Sequence, residues 1–292
     1  MIRSHVRTAL VAALVAAVGP GLVAAPARAD LKLPAVSPKA VVSQTIGLAD
    51  FTVTYSRPGV KGRKIWGGLV PYGEVWRTGA NEATSFVTAG EATIAGKKVP
   101  AGEYSLYTIP GETEWTVIVS TEKGAWGSFS YDKAKDAHRF TVKPTEGPHE
   151  EWMRFSFENL TPSSGDLVLA WEKLRVAIPI EVPVHDQAMA NIKAAMAELK
   201  ADDWRTPYRS AQYCFNANVN LDEAMKWAEL SVSRKEVYFN LSLLADMKMK
   251  AGQAKDAIAT AERALKVGKE DPDKPDLRAI ETKLSEWKAK KS

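Results

Sequence analysis

Cysteine is almost absent: Cys214 is the only one in 292 residues. The chain therefore cannot form an internal disulfide even in an oxidising compartment. Tyr213 and Phe215 on either side mark Cys214 as a packed thiol rather than a reactive one. Histidine is scarce too: beyond His5 there are only His138, His149 and His185, and no two of them have the spacing of a metalloprotease helix or a structural zinc site. A GxSxG elbow, a phosphate-binding loop and a dinucleotide fingerprint are all missing. Ser128 has no identifiable partner for nucleophilic attack, and His138 beside Arg139 reads as a surface residue. These absences leave no recognisable catalytic constellation, so an enzyme is the less favoured reading, and neither metal nor cofactor is expected.

Long apolar runs and an excess of one charge are lacking as well. The run from Ala9 to Val18 is too short to cross about 30 Å of hydrocarbon, so no membrane span is expected. With Arg3 and Arg7 before it, Gly19-Pro20 after it and Ala27-Arg28-Ala29 at its end, it has the form of a signal peptide, residues 1–29, cleaved after Ala29. The expected location is periplasmic or secreted. Removing that leader takes away three arginines and no acids, and the formal charge falls from +4 to +1. No charge-based argument for nucleic acid survives. What is left, 45% apolar and 25% charged residues over the whole chain, is the composition of a folded globular protein.

Two hydrophobic periods divide the chain. Between about Val41 and Val182 the pattern alternates with a period of two: Phe51, Val53 and Tyr55 against Thr52, Thr54 and Ser56; Trp115, Val117 and Val119 against Thr116, Ile118 and Ser120; and Leu174, Val176, Ile178 and Ile180 along one face. Turn residues such as Arg57-Pro58-Gly59, Pro71-Tyr72-Gly73 and Pro100-Ala101-Gly102 separate the runs. About ten short strands at this spacing leave no room for crossover helices, which predicts an antiparallel β-sandwich over residues 30–183. Six of the nine tryptophans fall there and supply aromatic bulk for its core. From residue 184 to 292 alanine-rich helical spacing takes over. Asn220–Glu229 aligns with Gln253–Glu262 at a register of 33 residues, close to a tetratricopeptide unit. Thr206-Pro207 reads as a helix start and Asp276–Lys290 as the last helix. This all-α tetratricopeptide-like region is a candidate docking site for a protein or peptide partner; the plainer alternative is a helical bundle that braces the sandwich.

The densest polar and aromatic stretch runs from Lys61 to Thr84. Arg77 offers a planar fork for a carboxylate or phosphate, Asn81 both donates and accepts, and Glu82 is a candidate acid, base or ligand-binding group. Trp66, Tyr72 and Trp76 are candidate flat faces for a sugar ring, and Glu103 a rim residue of the same patch. A structural reading of the segment pairs Arg77 with Glu82 and lets Asn81 cap a turn.

Residues 37–182 resemble the bacterial family catalogued as domain of unknown function 2911. The resemblance rests on Ser56-Arg57-Pro58, Lys61-Gly62-Arg63, Gly68-Leu69-Val70-Pro71-Tyr72-Gly73, the run from Val75 to Thr84, the run from Pro100 to Pro110, and Trp115-Thr116-Val117-Ile118. It implies a secreted or periplasmic β-domain and no assigned activity. The favoured expectation is an exported, non-enzymatic module that binds a small polar ligand or glycan at Arg77, Asn81 and Glu82, or a protein. The alternatives are an envelope hydrolase using Glu82 or Glu103, which needs two carboxylates in one cleft, and an assembly protein acting through its helices.

Overall fold

The computed structural model describes residues 33–289, so the expected leader lies outside the described residues. Ten strands come first: β1 (Lys39–Ile46), β2 (Ala49–Ser56), β3 (Thr84–Thr88), β4 (Ala92–Ile94), β5 (Lys97–Val99), β6 (Gly102–Ile109), β7 (Trp115–Ser120), β8 (Asp136–Val142), β9 (Thr145–Glu158) and β10 (Ser164–Glu181). They form a six-stranded sheet in the order β1-β2-β3-β6-β7-β8 and a four-stranded sheet in the order β5-β4-β10-β9. Every pairing is antiparallel.

The period-two pattern explains which side chains are buried. Phe51, Val53 and Tyr55 of β2, Leu106 of β6, and Trp115, Val117 and Val119 of β7 turn inward against Met153, Phe155, Leu167, Leu169 and Trp171 of the second sheet. On the far face of the larger sheet a smaller apolar cluster forms around Ala83, Tyr107 and Ile118, covered by Ala125 and Tyr131 of the connection that precedes β8. β10 is the longest strand, at 18 residues. It pairs with β9 from Asp166 to Arg175, with register shifts on either side of Glu172 inside that pairing, and with β4 at Ile180 and Glu181.

Six helices follow: α1 (Val184–Ala197), α2 (Arg205–Ala217), α3 (Leu221–Arg234), α4 (Tyr238–Lys250), α5 (Ala254–Glu270) and α6 (Arg278–Ala289). α2 packs on α3, α4 on α5, and α6 on α5, as expected for two helix hairpins and a closing helix. Ala211, Ala224, Ala228, Ala245, Ala257, Ala261 and Ala264 are fully buried, so small side chains sit where the helices approach. The start of α2 differs from expectation. Asp203, not Thr206, closes it: its carboxylate accepts from the Arg205 and Thr206 backbone N–H groups at 2.9 and 3.1 Å. A charged acceptor at a helix N-terminus also gains from the helix dipole, which a threonine hydroxyl does not.

From Ser37 onward the sheets and helices belong to one compact unit. Val184, at the start of α1, packs over the β1–β2 turn. A Cβ at Gly47 would lie 2.2 Å from its Cγ2, and Gly47 has φ +58°, so both conformation and contact require glycine there. Gln187 of α1 donates to the Glu91 carbonyl at 3.0 Å.

Candidate functional site

The Lys61–Thr84 stretch begins inside a cap over one end of the sandwich. After β2 the chain crosses to the second sheet, where Val60 N–H donates to the Glu151 carbonyl at 2.8 Å and Met153 N–H to the Pro58 carbonyl at 3.0 Å. It then turns back and joins the free end of β6, with Trp76 and Thr108 exchanging N–H···O bonds of 2.7 and 2.9 Å. The cap's two tryptophans face inward. Trp66 lies 4.8 Å from Trp115 and 5.6 Å from Trp171, centroid to centroid, both edge to face. Trp76 stacks on Trp171 at 5.9 Å, and its indole N–H donates to the Gly79 carbonyl at 3.0 Å. The indole N–H groups of Trp66, Trp115 and Trp171 are buried without a conventional acceptor. Edge-to-face packing gives such donors the π face of a neighbour. Trp66 and Trp76 are therefore placed as core for the cap. Tyr72 is partly exposed and lies over Gly67.

The other candidates follow the cap. Because Trp76 turns inward, Arg77 is thrown to the outer side of the larger sheet, under a strap formed by residues 121–131. Strap and chain are held as a short ribbon: Ala83 N–H donates to the Ala125 carbonyl at 2.9 Å, Gly127 N–H donates to the Asn81 carbonyl at 3.1 Å, and Glu82 bridges Trp126. Arg77 Nη1 lies 3.3 Å from where a Cβ on Gly127 would stand. Its Nε is buried without an acceptor, and no ion pair among the described residues includes it. The pairing of Arg77 with Glu82 considered above is thus not formed; Glu82 is exposed.

Asn81 takes the left-handed conformation, φ +59°, which asparagine tolerates better than most residues. Its side-chain amide donates to Ser56 Oγ at 3.2 Å, tying the ribbon to the end of β2. Glu103 stands elsewhere, opposite Val87 in the β3–β6 register, accepting from Ser85 Oγ at 3.3 Å. Five residues of roughly extended chain separate Glu82 from Val87, a span of about 16 Å. Arg77, Asn81 and Glu82 all lie against the strap, though the Asn81 amide is turned towards Ser56, and Glu103 lies on β6.

Sequence reasoning missed the strap. Trp126 is 64% and Phe129 88% exposed, on either side of the glycine that covers Arg77. Two large aromatics three apart among glycines and serines were the available signal. Beneath them the Tyr107 hydroxyl is fully buried, its pKa pushed up to about 12 by burial first and by the negative charge of Glu122 next. Glu122 in turn pairs with Lys135 at 3.1 Å. Charged residues just beyond the strap are paired as well. Tyr131 donates to Asp136 at 2.9 Å, and Arg139 pairs with Asp136 at 3.0 Å.

Among the described residues no group of three or more His, Cys, Asp or Glu side chains is placed to hold a metal ion. Burial, and then Glu223, pushes the Cys214 thiol up in pKa. Four cavities lie in or against the helical region, and none of these four is lined by Trp66, Tyr72, Trp76, Arg77, Asn81, Glu82 or Glu103.

An antiparallel sandwich with a capped end, fused to a short helical array, defines a two-part protein whose sheet domain carries the distinctive residues. Residues 37–180 match the family described as "Protein of unknown function (DUF2911)", to which the sheet domain belongs. No curated protein and no solved structure matches the chain.

Proposed function

We propose that the protein is an exported, non-enzymatic binding module that holds a polar ligand, an acidic glycan foremost, at the strap beside Arg77, while its helices hold a second protein. One observation carries this reading: a guanidinium without an acidic partner among the described residues lies under a glycine flanked by two exposed aromatics. A planar cation beside flat apolar faces suits a carboxylate borne on a ring, the fork taking the carboxylate and an aromatic the ring. The leader-like start of the sequence supports export, to the periplasm or beyond. Glu103 is occupied as acceptor for Ser85 Oγ on the β3–β6 face, and the exposed Glu82 lies on the ribbon beside the strap, an arrangement that supports binding over the hydrolase alternative.

The test is calorimetric titration of the mature protein with trigalacturonate and with neutral maltotriose. The acidic sugar should bind saturably and lose at least tenfold in affinity in Arg77→Ala and in Trp126→Ala, both still folded by circular dichroism. Equal binding of the two sugars, or full affinity in Arg77→Ala, would overturn the assignment.

A further inference from the structure

A second surface lies on the helical array, where α2 and α4 begin and α5 ends. It is a groove of about 590 Å3. Its floor is aromatic. Phe239 is 51% exposed, on a helix whose side chains are otherwise mostly buried. Trp204 lies opposite and already carries a cation: the Arg205 guanidinium sits 4.7 Å from its ring centroid. The fold thus displays on Trp204 the contact that Phe239 offers to solvent.

The wall of the groove is acidic. Glu270, Asp271 and Asp273 line it, and none of them enters an ion pair with a described residue. They stand at the C-terminal end of α5, where the helix dipole adds negative potential. Glu236, also in the lining, is engaged by Arg263. The cations in the lining are Arg205, stacked on Trp204, and Lys235. The wall is held in place: Asp273 N–H donates to Asp271 Oδ1 at 3.0 Å, and the Tyr238 hydroxyl donates to the Asp276 carbonyl at 3.0 Å.

We infer that this groove docks a cationic segment of a partner protein, an arginine side chain lying on the Phe239 ring with its guanidinium against the Glu270–Asp273 carboxylates. Arginine fits better than lysine because it stacks and forks at once. The inference deepens the protein-binding half of the reading above, and it does not depend on Arg77.

The experiment is fluorescence anisotropy of the mature chain with fluorescein-labelled hexa-arginine at physiological salt, with hexa-lysine and hexa-glutamate as comparisons. Hexa-arginine is expected to bind saturably and more tightly than hexa-lysine, and hexa-glutamate not at all. The double variant Asp271→Asn/Asp273→Asn should weaken binding about tenfold, as for removal of close charge partners. Phe239→Ala should weaken it about threefold, as for an exposed cation–π contact. Glu270→Gln serves as a milder second test should the double variant melt early. Arg77→Ala should leave hexa-arginine binding unchanged. Binding that survives both Phe239→Ala and the double variant, or no saturable binding at all, overturns the inference. If hexa-arginine fails while trigalacturonate still binds through Arg77, only the groove falls; the converse result removes only the glycan reading.

Discussion

Replacing Trp66 by alanine removes the side chain that joins the cap to both sheets. Trp66 is 8% exposed, and its ring meets Trp76, Trp115 and Trp171 at 5.9, 4.8 and 5.6 Å. Truncating a buried tryptophan costs about 3–5 kcal/mol, and each lost aromatic pair is worth about 0.5–1.5 kcal/mol beyond its area. Because the cap can partly collapse into the gap, we expect about 4 kcal/mol in all, a large fraction of the 5–15 kcal/mol typical of a folded chain. In a unit of this size that lowers Tm by about 10 °C. Trp66→Phe keeps one ring and should cost about half as much. Urea unfolding followed by circular dichroism gives the first quantity. The coupled indole transitions give the second readout, a split far-ultraviolet band that Trp66→Ala should flatten and Trp66→Phe diminish. If Trp66→Ala costs less than about 1 kcal/mol and leaves the split band intact, the indole is not core, and a role as a sugar platform returns.

Three further outcomes follow from single positions. Gly47→Ala combines a left-handed backbone with a clash against Val184; it should cost about 2–3 kcal/mol and speed amide hydrogen exchange around residues 182–187. Burial, and then the charge of Lys97, hold the His138 imidazole below its ordinary pKa of 6.5, so the native state takes up its proton later than the unfolded chain. Stability should fall as pH drops below that ordinary value, and urea midpoints of His138→Phe should show a shallower acid slope. Tyr107 has the opposite sign: with its hydroxyl held up to about 12, the unfolded chain loses its proton first. Stability should drain away as pH rises from about 10 towards 12, and Tyr107→Phe should be nearly neutral at pH 7 yet resist alkaline unfolding better than the parent.

Alternation and turn residues made the sheet domain legible, because a half-buried strand writes its two faces into every second side chain. Phe51-Val53-Tyr55 and Trp115-Val117-Val119 are buried as their spacing says. The repeat at Ala224 and Ala257 was legible for a similar reason, since close helix approach admits only small residues. The cap was harder to read. Its tryptophans have no period, and whether an indole faces solvent or a second sheet depends on where the chain crosses, which Val60 and Trp76 decide through backbone bonds to β9 and β6. Arg77 and Asn81 were found by residue type, yet their neighbour Gly127 is 46 residues from Asn81 in the sequence, and no local pattern carries that pairing. Asp203 was passed over for Thr206 because either residue type can close a helix, and only geometry chooses between them.

β10 sits between β4 and β9 and passes into α1 through only Val182 and Pro183. Val182 N–H donates to the Ser163 carbonyl at 2.8 Å, so the chain leaves the sandwich beside the turn at which β10 begins. A pull on the helical array therefore reaches both ends of that strand at once, and the load is shared with the β9–β10 turn instead of resting on a single strand end.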